Sequence, residues 1–187
     1  WYDDILKVAA GRWPVPVFDR SRPVAAQFEG LDVVIDQGGH HGTHDLIDAA
    51  SEAGVKLWQV LGTGLDHTDV AYILKKRIPL ANTPGQFSSI ALAEHALLLM
   101  LLFAKKFRES QTSIRNQVMC DPMNEELHGK TLGLLGFGAS GSELASRAHA
   151  LGMRILAVDL IEIPQAVQER YGIVFCGKPT DLPRLLA

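Results

Sequence analysis

Apolar residues come in short runs separated by longer stretches with helical spacing. Leu31–Ile35, Val55–Leu61, Ile78–Ala81, Thr131–Leu135, Arg154–Val158 and Ile173–Phe175 read as buried strands, and Val15–Phe18 as a further strand despite its flanking prolines. Between them the spacing predicts helices over Tyr2–Ala10, from Thr43 (a candidate cap) to about Ala53, and over Thr68–Lys76, Ser89–Phe107 and Ser140–Leu151. Ile161–Tyr171 reads as helical after Pro164, and Thr180 as the cap of a final helix. Ser110–Lys130, with Pro122 and Gly129, reads as polar and irregular. Strands alternating with helices predict an α/β protein with parallel sheets. The change of texture places a domain boundary near residues 101–110, giving domains of residues 1–104 and 105–187.

The longest apolar run, Ile90 to Ala104, is broken by Glu94 and His95. It is too short and too polar to span a bilayer and reads as a core helix, so no membrane association is expected. Glu94 and His95 are expected to form hydrogen bonds at an inter-lobe hinge rather than to act as catalysts. Lys75, Lys76 and Arg77, and later Lys105, Lys106 and Arg108, close helical stretches, where cations complement the helix dipole.

Apolar residues make up 47% of the 187 positions and charged residues 21%, which excludes a disordered chain. The net charge of −3 lacks the basic footprint of a nucleic-acid binder. Cys120 and Cys176 form neither a disulfide framework nor a C-x-x-C motif, and with no basic-then-apolar leader after Trp1 they suit a cytoplasmic protein.

The strongest chemical signal is Gly136-Phe137-Gly138-Ala139-Ser140-Gly141, between a predicted strand and a predicted helix. A second strand ends in Asp159, 21 positions past Gly138. In a dinucleotide-binding turn, Gly136 permits the tight bend, Gly138 admits the pyrophosphate and Gly141 lets the helix approach the strand. The helix start offers N–H groups to phosphates, and Asp159 can accept from ribose hydroxyls. A carboxylate there repels a 2′-phosphate, and Leu160-Ile161 supplies no Arg to hold one. NAD is therefore expected over NADP.

Three ordered segments carry a resemblance. They are Gly62-Thr63-Gly64-Leu65-Asp66-His67-Thr68-Asp69; Ile78-Pro79-Leu80-Ala81-Asn82-Thr83-Pro84-Gly85 with Ala93-Glu94-His95; and Glu126-Leu127-His128-Gly129-Lys130-Thr131-Leu132-Gly133. Together with the fingerprint they resemble the D-isomer-specific 2-hydroxyacid dehydrogenases, the family of phosphoglycerate dehydrogenase. The resemblance implies a flavodoxin-like N-terminal substrate lobe followed by the first half of a Rossmann domain. It implies that the amides of Gly62, Thr63 and Gly64 lie near a substrate carboxylate at an inter-lobe cleft, with Thr63 also near the nicotinamide. The loop Gln37–Gly42, with Gly38 and Gly39, becomes the other substrate-side loop, and Ala139 and Ser140 touch the pyrophosphate. The partners implied are a small 2-hydroxy or 2-keto acid and a second copy in a homodimer. Ser140 stands where the family usually carries Ile or Val.

The family's catalytic Arg, Glu and His lie downstream of the second strand of the dinucleotide fold. Only 28 residues follow Asp159, fewer than the second half of such a fold needs. The sequence reading is therefore of an incomplete, inactive chain of an oxidoreductase acting on the CH–OH group of a D-2-hydroxy acid. The rival reading is an NAD-sensing, corepressor-like protein of the same fold without turnover. His40, His41 and His44 form H-H-x-x-H, but His41 replaces the zincin Glu and the flanking glycines favour a loop, so no metal is expected.

Overall fold

A computed structural model describes residues 2–39 and 41–186. The chain divides into two compact units, Trp1–Pro84 and Gly85–Ala187. No helix among the described residues is long and apolar enough to cross a membrane.

The first unit contains α1 (Tyr2–Ala9), β1 (Val33–Asp36), α2 (His44–Glu52), β2 (Leu57–Val60), α3 (Val70–Lys75) and β3 (Leu80–Ala81). Its strands form a parallel sheet in the order β1-β2-β3, with Val33 opposite Leu57 and Trp58 opposite Leu80. On β2 the alternation of strand side chains buries Trp58 and Val60. Ile47 and Ala50, one turn apart on α2, join Ile73 of α3 and Ile78 in the same core.

Two local expectations fail here. Val15–Phe18 forms no strand: Pro14 and Pro16 lack the N–H that a ladder needs, and Val17 and Phe18 are exposed. Thr43 sits at the N-cap of α2, but its hydroxyl donates to the Asp45 carboxylate and accepts no backbone N–H. On α3 it is Asp69 that caps, accepting the Tyr72 N–H at 2.9 Å.

The second unit contains α4 (Ser89–Ala104), α5 (Phe107–Arg115), β4 (Thr131–Leu135), α6 (Ala139–Ala150), β5 (Arg154–Val158), α7 (Gln165–Tyr171), β6 (Ile173–Gly177) and α8 (Leu182–Leu186). Its parallel sheet has the order β4-β5-β6. Ala145 and Ala148 of α6 are buried with Ile155 and Ala157 of β5.

The long helix ends at Ala104, because Lys106 takes a left-handed conformation at φ +43°. A separate α5 then occupies the start of the stretch that the sequence marks as irregular. The compact units divide at Pro84/Gly85, and within the second of them α4 packs on α6. Met100 joins the second core, and Glu94 lies 3.7 Å from the guanidinium of Arg147, which also bonds Glu143. Glu94 is thus engaged inside the second unit. Near the chain end a short 3-10 turn, Pro179–Asp181, precedes α8, and Asp181 accepts the Lys178 N–H at 2.8 Å at its start.

Candidate functional site

In the second unit the glycine turn joins β4 to α6. Gly136 has φ +95° and donates its N–H to Val158 O at 2.8 Å, which fixes the turn to β5. Gly138 is the N-cap residue of α6, with no side-chain cap and open space where a Cβ would stand. A Cβ on Gly141 would lie 2.3 Å from Gly136 O, so only glycine allows α6 to start this close to the strand. The N–H groups of Ala139, Ser140 and Gly141 meet no acceptor among the described residues. They are the orphan donors of a helix start, suited to a phosphate.

Asp159 follows β5. Its carboxylate accepts the Phe137 N–H inside the turn and the Ile161 N–H at 2.8 Å. These bonds, Phe137's first, hold its pKa below the ordinary carboxylate value. Each oxygen retains lone-pair capacity for a ribose hydroxyl. Beside it lies a cavity of about 330 Å³, lined by Leu135, Gly136, Val158, Asp159, Leu160, Pro179 and Leu182. A mostly apolar wall with one carboxylate suits the adenosine half of a dinucleotide. Together with the free helix-start donors, it makes the residues present fit NAD. The lining by Pro179 and Leu182 is not legible in the motif, since both come from the chain's last turns.

In the first unit the two glycine loops leave the carboxyl ends of β1 and β2 and touch each other. A Cβ on Gly62 would lie 3.5 Å from Gly38 Cα. Leu61 N–H donates to Asp36 O at 2.8 Å, tying the loops at their roots. Gly39 is buried against Thr68, whose hydroxyl donates to Gly39 O at 3.2 Å. With φ +76°, and Thr68 Oγ1 only 2.4 Å from a Cβ position, Gly39 admits no other residue without strain. Asn82 Nδ2 donates to Thr63 O at 2.7 Å and Thr83 N–H to Gly62 O at 3.0 Å. Gly38, Gly62, Thr63 and Gly64 therefore lie together on the first unit, with Gly39 buried beside them.

Asp36 is a residue the sequence reading misses. It is 2% exposed; one oxygen accepts the Trp58 indole N–H at 3.3 Å and the other has no partner among the described residues. A polar residue closing an apolar strand beneath a glycine loop is the signal that could have found it.

The histidine motif does not gather. His40 lies outside the described residues. His41 Nδ1 lies 3.5 Å from an Arg20 guanidinium nitrogen. His44 opens α2, 3.0 Å from Asp69 Oδ2 and stacked on Tyr72 at 3.8 Å between ring centres. Among the described residues no group of three or more His, Cys, Asp or Glu is placed to hold a metal ion.

Known proteins share both the sequence pattern and the fold. Residues 97–184 match the family model of the D-isomer specific 2-hydroxyacid dehydrogenase NAD-binding domain. A hydroxypyruvate reductase of Thermotoga maritima is 38% identical over 131 residues, which cover 69% of this chain and 42% of that protein. A D-3-phosphoglycerate dehydrogenase of Methanocaldococcus jannaschii is 34% identical over 176 residues, covering 92% of this chain and 33% of that protein. The chain spans less than half the length of these relatives. The solved D-lactate dehydrogenase of Aquifex aeolicus shares the fold, with a TM-score of 0.80 at 23% identity over 98% of this chain and 54% of that one. The glycine turn, its Asp159 anchor and the sequence match over the same residues agree: residues 97–184 of this chain are an NAD-binding domain of the D-isomer-specific 2-hydroxyacid dehydrogenase family.

Proposed function

We propose that the protein is an NAD-dependent oxidoreductase acting on the CH–OH group of a small D-2-hydroxy acid, similar to phosphoglycerate dehydrogenase. The observation that carries the proposal is the turn Gly136–Gly141 fixed by Asp159 at the Phe137 N–H. The match to hydroxypyruvate reductase and phosphoglycerate dehydrogenases supports the substrate class. Bound NAD supplies the hydride acceptor, and NADH the donor, for C2 of the acid.

In this reading the chain's residues bind and orient. The helix-start amides of Ala139, Ser140 and Gly141 take the pyrophosphate, and Asp159 takes the ribose and disfavours a 2′-phosphate. The amides of Thr63 and Gly64 take the substrate carboxylate, with Gly38 and Gly39 beside them. In this reading the family's Arg, Glu and His set supplies proton transfer.

The reading also includes a cytoplasmic homodimer formed through the second unit. Supporting the dimer, Leu99 and Phe103 of α4 and Ile114 of α5 are exposed apolar side chains, Phe103 at 88%.

The test is NADH oxidation, followed by loss of its near-ultraviolet absorbance, by the full-length protein with hydroxypyruvate, glyoxylate and phosphohydroxypyruvate. Turnover of at least one of them at about 1 s⁻¹ or faster, with NADH preferred to NADPH, is the expected result. NADH binding without turnover of any 2-keto acid would instead favour the NAD-sensing reading.

A further inference from the structure

We propose that Asn82 is a positioning residue which, with the backbone of Thr83, turns the Thr63 and Gly64 amides toward the substrate carboxylate; this rests on the function proposed above. Two successive carbonyls of the loop are held from one side. Gly62 O receives the Thr83 N–H at 3.0 Å, and Thr63 O receives Asn82 Nδ2 at 2.7 Å. Both donors stand just past β3, and the Thr83 hydroxyl adds a 3.4 Å bond to Val60 O.

In a planar trans peptide the C=O of one residue and the N–H of the next point in opposite directions. The peptides here are trans, the one cis bond among the described residues being Asp121–Pro122. Fixing the carbonyls of Gly62 and Thr63 toward the Asn82–Thr83 segment therefore aims the N–H groups of Thr63 and Gly64 away from it. Neither of those N–H groups meets an acceptor among the described residues. Two neighbouring amides turned the same way form a concavity for an anion, and a carboxylate presents two oxygens at the required separation. The adjacent Gly38 backbone leaves room for a ligand because no side chain projects from either glycine.

The two halves of the clamp differ in what sequence they demand. Thr83 acts on Gly62 through its backbone, so its side chain can change. Asn82 acts through its side-chain amide, so a residue without an N–H donor releases Thr63 O. Asn82 is exposed and lies outside both hydrophobic cores, which separates its role from core packing.

The experiment uses the full-length protein with N82A, N82D and T83V variants, reading kcat and KM for the best 2-keto acid, NADH affinity by fluorescence, and melting temperature. N82A and N82D are expected to raise KM about tenfold or more, the effect of losing one or two hydrogen bonds to a charged group. N82D acts by setting a carboxylate, which has no N–H to donate, against the Thr63 carbonyl. NADH affinity and melting temperature stay at the wild-type value, and T83V, which keeps the backbone N–H to Gly62 O and loses only the 3.4 Å hydroxyl bond to Val60 O, shows no such rise in KM. An unchanged KM in N82A overturns the proposal while leaving the function standing, as does a joint fall of melting temperature, NADH affinity and kcat, which marks a merely structural residue. Wild-type protein that binds NADH but turns over no 2-keto acid overturns the function and this proposal together.

Discussion

The Asp159 carboxylate accepts the backbone N–H of Phe137, 22 residues upstream, so the side chain suited to a ribose also fixes the glycine turn suited to phosphates. Replacing it disturbs both. Asp159→Arg is expected to weaken NADH about tenfold or more and to shift preference toward NADPH, since a cation attracts a 2′-phosphate where a carboxylate repels it. Asp159→Asn keeps an acceptor for Phe137 and should lose less. Fluorescence titration with both cofactors checks this; an unchanged preference in the Arg variant removes the residue from the cofactor site.

The same bonds give a pH dependence with a definite sign. Hydrogen bonds from Phe137, then Ile161, lower the Asp159 pKa in the folded chain. Its contribution to stability is therefore complete above the unfolded value of about 3.9 and is lost as pH falls through the lower folded value. Urea midpoints should stay flat for this group near neutrality. Below about pH 4 they should fall more steeply in wild type than in Asp159→Asn. Equal acid slopes would count against the anchor.

Gly141→Ala tests the close approach of α6. The added methyl would lie 2.3 Å from Gly136 O, a backbone atom that cannot rotate away. A loss of about 1–3 kcal/mol of stability follows from overpacking of this kind. NADH binding should weaken in step, because relief requires α6 and its free amides to shift. Wild-type stability with wild-type affinity would show that the turn opens freely.

Phe103→Ser bears on assembly. Phe103 is exposed, so in a monomer its loss should leave stability within about 0.5 kcal/mol. If α4 and α5 cover each other in a homodimer, Phe103→Ser should instead shift the full-length protein toward monomer in light scattering at micromolar concentration. An unchanged dimer places the interface elsewhere.

Much of the fold and of the nucleotide site is legible in the sequence, for identifiable reasons. The strands Thr131–Leu135 and Arg154–Val158 are found with those limits because the apolar runs are bounded by a glycine turn and an aspartate. Gly136 and Gly141 are legible because each meets a backbone demand, the first at φ +95° and the second against Gly136 O. Val15–Phe18 misleads because its apolar pattern is strong while the cost lies in the missing Pro14 and Pro16 donors. The end of α4 is hidden because a single left-handed residue, Lys106, breaks a run whose composition favours continuation. The partners of α4 are not legible, because its packing on α6 and the place of Met100 in the second core are tertiary facts. Asn82 reads only as part of a turn, since its bond to Thr63 O crosses 19 residues.

The two units keep separate hydrophobic cores, Trp58 and Ile47 in one and Ile155 and Ala145 in the other. All three tryptophans, at positions 1, 13 and 58, fall before Pro84. Intrinsic indole emission therefore reports from the first unit, while the second unit, which has no tryptophan, takes on a visible signal of its own only from NADH. A denaturation curve followed by indole and one followed by NADH emission are measurements of two different objects, and their midpoints need not coincide even in a single chain.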